Sequence, residues 1–353
     1  MLIDLPPSAC ILVVVLQRLG DVLLTTPLIR SLKRAWPDAR IDVLVYADTA
    51  GILHGNPDIE NIVTMPQRPG ALQSLALAMR LWRRYALAIS AQAGDRPTFF
   101  AIVAGHIRIA PVEQRLSGKI KAFALDRSIP AGQRLHRVPQ MLALAQAIGI
   151  APIAEVVLPE PPSQKPVVSG AYAVVHAAPM FRYKQWTADG WRSLAAALLQ
   201  RGLQVFATGG PAENERRSLD DVWGSENGVV VRKDGKLDWR ELAELIAGAE
   251  IYVGPDTSVT HLAAATGCPT VALYGPTDPV LWGPWPKAGL KQNWAKSGIV
   301  QRRNNVWLIQ HNMPCVPCQL EGCERNLGSY SRCLDEMPLN VVLLAVDQAL
   351  ASR

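Results

Sequence analysis

Ile251-Tyr252-Val253-Gly254-Pro255-Asp256-Thr257-Ser258-Val259-Thr260-His261 is the stretch on which the fold turns. Ile251–Val253 has the length and composition of a buried strand. Gly254-Pro255 punctuates it, and a hydroxyl-rich turn opens an apolar helix expected over Thr257–Thr266. Backbone N–H groups and two or three hydroxyls then face one point, a cradle suited to a diphosphate. From these residues alone Asp256 also reads as a helix cap and His261 as a buried helix residue. The next strand, Thr270–Tyr274, ends in Gly275-Pro276-Thr277-Asp278-Pro279. Two neighbouring strands with such ends suggest one shared pocket.

Working outward, short β-branched runs alternate with amphipathic stretches, the pattern of parallel sheets covered by helices. In the first half Ile11–Leu16, Ile41–Tyr46, Asn61–Thr64 and Leu87–Ser90 read as strands. Thr25–Trp36, Ala71–Arg84 and Val138–Ile148 read as helices. Residues 151–168 carry Pro152, Pro159, Pro161, Pro162 and Pro166, which break regular structure and mark a domain boundary. The pattern then restarts, with strands at Tyr172–His176, Val205–Thr208 and Val229–Val231 before the stretch quoted first. Helices fall near Ala188–Gln200 and Trp239–Ala247, and Val341–Leu350 reads as a terminal helix. The fold expected is α/β, with two doubly wound domains over 1–160 and 168–337 and a terminal segment 338–353. A length of 353 residues suits two domains of roughly 150.

Composition narrows the function. With 49% hydrophobic and 19% charged residues each half can bury a core, which excludes wholesale disorder. No apolar run reaches the ~18 residues of a membrane span. Asp4 with no basic n-region argues against a cleaved signal, so the chain reads as cytoplasmic. The net charge is +6. Between Arg96 and Arg137 eight basic residues, among them Arg115, Lys119 and Lys121, meet only Glu113 and Asp126, so this stretch carries the whole surplus. Such a region points to an anionic ligand or membrane surface, or is a solvated face. It lacks interleaved aromatics and nucleic-acid motifs, which disfavours DNA or RNA.

Other strand ends carry candidate chemistry. Gln17-Arg18-Leu19-Gly20-Asp21 follows the first strand and precedes a helix with Thr25, Thr26 and Pro27. Asp21 reads as an N-cap, the stronger reading from spacing alone, or as a carboxylate able to take a proton from an attacking hydroxyl. His176-Ala177-Ala178-Pro179 leads to Arg182, Lys184 and Trp186, where Lys184 could neutralise a phosphate or simply be exposed. Thr208-Gly209-Gly210-Pro211-Ala212-Glu213 offers a carboxylate for ribose hydroxyls, or for a helix first turn. There is neither a GxGxxG nor a Walker lysine, so neither a nicotinamide site nor a P-loop is supported. Cys315, Cys318, Cys323 and Cys333 cluster, and read as a structural metal site or as reduced thiols packing a loop.

Gly20-Asp21 with Thr26-Pro27, Lys184 before Trp186, and the two strand-end motifs Gly254–His261 and Tyr274–Pro279 together resemble glycosyltransferase family 9, the ADP-heptose:lipopolysaccharide heptosyltransferases of Gram-negative bacteria. The resemblance spans nearly the whole chain. It implies a GT-B fold, two Rossmann-like domains facing a cleft, with the terminal helix crossing back onto the first. It implies inverting transfer of L-glycero-D-manno-heptose from ADP-heptose to the anionic lipopolysaccharide inner core, peripheral to the inner membrane, without cofactor or divalent metal. Asp21 takes the place of the general base and Lys184 that of the lysine near the donor phosphates. Gly20, Thr25, Glu213 (with Glu215 competing), Asp256, Thr257, Ser258, His261 and Thr277 fall to donor binding. Arg96, Arg115, Lys119, Lys121 and Arg137 fall to acceptor binding. Ala91 and Ala110 depart from the expected pattern, and the cysteine spacing is shorter than that of the related iron-carrying, protein-modifying enzymes, so no metal is assigned. A protein acceptor, or a nucleotide-sugar-binding module without turnover, are the alternative readings; the presence of Asp21 favours activity.

Overall fold

Cys10–Val14 (β1) lies inside a six-stranded sheet, and Ile11 to Val14 have no exposed surface. The computed structural model describes residues 3–160, 168–224 and 229–352. They divide into two units, Met1–Glu160 and Pro161–Arg353. In the first, β1 is followed by β2 (Arg40–Tyr46), β3 (Asn61–Met65), β4 (Tyr85–Ser90), β5 (Gly105–Val112) and β6 (Arg127–Pro130). The spatial order is β3-β2-β1-β4-β5-β6, and every neighbouring pair is parallel. Leu12, Val14 and Leu16 pack beneath Leu77, Leu81, Phe100 and Ala104 of two helices, which is why the strand reads as an unbroken apolar run.

The second unit repeats the plan. Its strands are β7 (Tyr172–His176), β8 (Gln204–Thr208), β9 (Val231–Arg232), β10 (Ile251–Pro255), β11 (Thr270–Tyr274), β12 (Val300–Arg303) and β13 (Val306–Gln310). Their order is β12-β13-β11-β10-β7-β8-β9, parallel except for the β12–β13 hairpin at the edge. Both sheets therefore reverse their winding beside their first strand. In such sheets ligands bind outside the carboxyl ends of the strands at that reversal. β1 and β4 meet there in one unit, β7 and β10 in the other.

The doubly wound α/β reading holds in both halves. The structure adds strands β5, β6, β12 and β13 and the helices Asp95–Ala104, Leu116–Ala122 and Glu213–Trp223, which the sequence reading does not contain. β5 and β6 carry Arg108 and Arg127 among their apolar residues, which obscures the strand pattern. Of the boundary prolines, Pro152 and Pro159 lie in a stretch without helix or strand, while Pro161, Pro162 and Pro166 fall outside the described residues.

The terminal helix, Leu339–Leu350, turns its buried face into the second unit's core. Val342, Ala345, Val346 and Ala349 have no exposed surface and pack with Trp191, Leu194, Leu198, Val271, Trp307 and Ile309. An apolar stripe at helical spacing finds its partner in the bare face of its own sheet. Val346→Ala should therefore cost about 1–3 kcal/mol, the range for shortening a fully buried aliphatic side chain. Calorimetry should show a lowered melting transition, and an unchanged transition would refute this packing.

Candidate active site

β10 delivers Pro255, and its next residue, Asp256, is turned inward. Its Oδ2 lies 2.5 Å from Lys184 Nζ and accepts a 2.5 Å hydrogen bond from Thr277 Oγ1. Three strand ends thus converge on one carboxylate: β10 supplies it, the loop after β7 brings Lys184, and the loop after β11 brings Thr277. Burial alone would raise the Asp256 carboxyl. Lys184 beside it, with the Thr277 hydroxyl and nearby His261, holds it below the ordinary carboxylate range. A carboxylate so engaged repels a phosphate, so Asp256 anchors Lys184 instead of binding an anion itself. An ammonium has three donors; one is given to Asp256, leaving two for a ligand.

The Lys184 loop is fixed from below. Trp186 is buried, donates from Nε1 to the Met337 carbonyl at 3.3 Å and meets Trp191 edge to face. Thr257 caps the helix Ser258–Thr266, its hydroxyl accepting from the Thr260 N–H. Thr260 in turn donates to the Pro255 carbonyl and contacts the Tyr252 hydroxyl at 3.0 Å. Gly254 is required here, because a Cβ would collide with that hydroxyl. Every residue from Val259 to Thr266 is buried, and only Thr257 and Ser258 are partly open at the helix start. That opening is an anion site by geometry and dipole. His261 is buried, its Nδ1 has no hydrogen-bond partner among the described residues, and burial brings its pKa to about 4, so it is neutral. Asp278 caps the short helix Pro279–Trp282 and is structural.

The two candidate acids at the end of β8 separate cleanly. Glu213 is exposed and pairs with Arg217 on the surface. Glu215 instead turns back, its Oε1 accepting the Gly210 N–H at 2.7 Å. Burial raises its carboxyl, the Gly210 N–H opposes this, and Asp234 adds to it. Glu215, not Glu213, is the acid placed at the glycine turn.

In the first unit Asp21 stands in the opening turn of the helix Leu19–Leu23, whose cap residue is Arg18. Its carboxylate lies 3.3 Å from Arg137 Nε, and both side chains are largely buried. Arg137 also donates to the Ala91 carbonyl at the end of β4, and beside it Gln92 donates to the Leu16 carbonyl at the end of β1. The base candidate is thus held across the reversal point of its sheet. Gln92 is a member of this site that the sequence reading missed; its position directly after a strand was the available signal. Gly20 lies partly buried in the same helical turn. Thr25 is not a ligand-facing group. It is wholly buried and its hydroxyl donates to the Asp21 carbonyl at 2.8 Å.

This chain matches the family described as glycosyltransferase family 9 (heptosyltransferase) over residues 75–307. It belongs to that family. It is 29% identical over 299 residues to lipopolysaccharide heptosyltransferase 3 of Escherichia coli K12, covering 78% of this chain and 85% of the relative. It is 26% identical over 330 residues to lipopolysaccharide heptosyltransferase 1 of Pseudomonas aeruginosa, covering 89% and 87%. The E. coli heptosyltransferase WaaC, solved with ADP, superposes with a TM-score of 0.73 at 20% identity, covering 96% of this chain and 99% of that one. The fold is accordingly GT-B, and the protein is an enzyme of the family 9 heptosyltransferase type.

The basic stretch of this family 9 chain is less bare than its charge count implies. Arg108 pairs with Asp126, Arg115 with Glu113 and Lys121 with Asp95. Arg137 is the buried partner of Asp21 and so is no surface ligand for an acceptor. Arg96 is exposed and bonds the Gln67 carbonyl and the Tyr46 hydroxyl; Lys119 is exposed. The four clustered cysteines are free thiols. Cys333 is pushed up to about 12 by burial and by its three neighbours. Among the described residues no group of three or more His, Cys, Asp or Glu is arranged to hold a metal ion.

His176 is buried like His261, with Nδ1 3.0 Å from the Thr208 hydroxyl, and burial brings it too from 6.5 to about 4. Below its unfolded value such a histidine takes up a proton only on unfolding. Its stability contribution is full above pH 6.5 and is lost as pH falls toward 4. Thermal melts should show stability declining across that window, by on the order of 3 kcal/mol per histidine at most. His261→Asn should flatten the decline, and an equal slope in the variant would refute the neutral, buried state.

Proposed function

We propose that this enzyme transfers L-glycero-D-manno-heptose from ADP-heptose to the anionic inner core of a lipopolysaccharide precursor, with inversion at the anomeric carbon. The observation that carries this reading is Lys184, clamped on Asp256 beside the open start of Ser258–Thr266, in a family 9 chain that also places a braced carboxylate, Asp21, after β1. Lipopolysaccharide heptosyltransferase relatives and the ADP in the WaaC structure support the donor and acceptor classes. Glu215 at the Gly210 turn is suited to accept hydrogen bonds from ribose hydroxyls.

In this reaction Asp21 takes the proton of the attacking acceptor hydroxyl. The hydroxyl oxygen bonds to the anomeric carbon on the face opposite the diphosphate, through an oxocarbenium-like transition state. The bond from that carbon to the diphosphate oxygen breaks, and ADP departs with the electron pair. Lys184, Thr257, Ser258 and the backbone N–H groups of their helix stabilise the charge developing there. These groups take the part that a divalent ion plays elsewhere, so no cofactor is required. A lipid acceptor would be met at a membrane face, and peripheral attachment there is part of the proposal.

Incubation with ADP-heptose and core-truncated lipopolysaccharide should release ADP and add one heptose mass to the acceptor. No release with any core acceptor would refute the reading. Asp21→Ala should lower turnover roughly 10²–10⁴-fold, the usual worth of a positioned base, while calorimetric donor affinity stays within about twofold of wild type. Full turnover with reduced stability would leave Asp21 a structural partner of Arg137 only.

Chelation should leave turnover intact. A loss restored by Mg²⁺ or Mn²⁺ would contradict the metal-free mechanism, and one restored only by Zn²⁺ or iron would assign Cys315, Cys318, Cys323 and Cys333 a structural metal.

A further inference from the structure

The helix Ala71–Leu81 turns apolar side chains in two directions. Leu77, Ala78 and Leu81 enter the core of the first unit. Leu72, Leu75, Met79 and Trp82 face away from it and are 82%, 56%, 65% and 65% exposed. Their spacing of three, four and three residues places them along one stripe. Isolated exposed apolar residues are ordinary, but an aligned set of four large ones marks a contact surface.

The charges around the stripe say what covers it. From Asn61 to Gly94 the chain holds Arg68, Arg80, Arg83 and Arg84 and neither Asp nor Glu. Among the described residues Arg68, Arg80 and Arg84 make no ion pair. The next helix in the same layer, Asp95–Ala104, packs beside this one and exposes Phe99. Lys121 bridges from the helix Leu116–Ala122 to Asp95 at the start of that helix. Leu116 and Ile120 of the Lys121 helix and Phe123 just after it are 75%, 63% and 91% exposed, with Lys119 between them and Arg115, paired with Glu113, just before. Apolar residues that include a terminal tryptophan, flanked on their own segment by Arg68, Arg80 and Arg84, match an interface of hydrocarbon below and negative headgroups above. No described helix is long and apolar enough to cross a membrane.

We infer that Ala71–Arg84 is a docking helix that inserts Leu72, Leu75, Met79 and Trp82 into the headgroup boundary of an anionic phospholipid bilayer, with its arginines on the lipid phosphates. The inference goes beyond the heptose-transfer reading and stands without it, since nothing in it depends on the sugar moved.

Flotation of the purified full chain with sugar-free vesicles tests it. The protein should float with phosphatidylcholine vesicles containing phosphatidylglycerol, far less with phosphatidylcholine alone, and less as salt rises. Leu72→Glu with Met79→Glu and Trp82→Glu should lower partitioning at least about tenfold. Arg68→Gln, Arg80→Gln and Arg84→Gln should each lower it about fivefold and together remove most of its salt dependence. All these side chains are exposed, so the variants should melt with wild type; Leu72→Ser with Met79→Ser serves if the glutamates do not. Failure of the wild type to float, or equal binding by the variants, would overturn the inference. So would a lipid-free dimer in sedimentation velocity that the glutamate variant abolishes, since a second copy would then cover the stripe. Assayed on the same protein, ADP release without flotation would sink only this inference, and flotation without ADP release only the heptose-transfer reading.

Discussion

A parallel strand is reached by a right-handed crossover, so a sheet that grows from its first strand to its third and then returns to place a fourth must send its connections to opposite faces. The loops leaving the two central strands then diverge, and the gap between them is lined by strand ends. Both sheets obey this constraint, with β1 beside β4 and β7 beside β10. Asp21 and Gln92 follow the two central strands of the first sheet, Lys184 and Asp256 those of the second. Within each unit the placing of that pair follows from topology before any side chain is considered.

Within that frame the charged groups work in pairs. Lys184 on Asp256 and Arg137 on Asp21 are both largely shielded from water. Desolvating such a pair can cost more than its attraction returns, so stability alone does not account for two of them at the two reversal points. Each pair fixes the direction of a group that would otherwise sample many rotamers. The ammonium gains a set orientation with donors to spare, and the carboxylate is braced by a cation that is itself tied to a neighbouring strand end.

The strand-to-helix motifs were legible because glycine, proline and hydroxyl residues at a strand end have few other physical uses. The strand ending at Gly254-Pro255 and the helix opening after Thr257 were readable for that reason. Which acid mattered after β8 was not legible, since Glu213 and Glu215 both lie in the first turn of one helix and only its rotation decides which returns to Gly210. Thr25 misled because a hydroxyl near a ligand loop looks the same in sequence whether it faces outward or closes onto the backbone. Charge counting misled for a related reason. Lys121 and Arg137 find their partners, Asp95 and Asp21, just outside or far outside the window counted. The hairpin β12–β13 carried a readable sign in Asn304-Asn305, where Asn304 adopts positive φ, a conformation that asparagine tolerates better than most residues.

The terminal helix has a consequence for the order in which the chain can fold. Because it fills the core of the unit from which it extends, that unit's sheet is covered by residues contiguous in sequence. The hydrophobic clusters around β1 and around β10 likewise draw on separate stretches of the chain. The core that the helix fills closes only once Ala349 has been made, whereas the cluster around β1 needs no residue beyond Ala104.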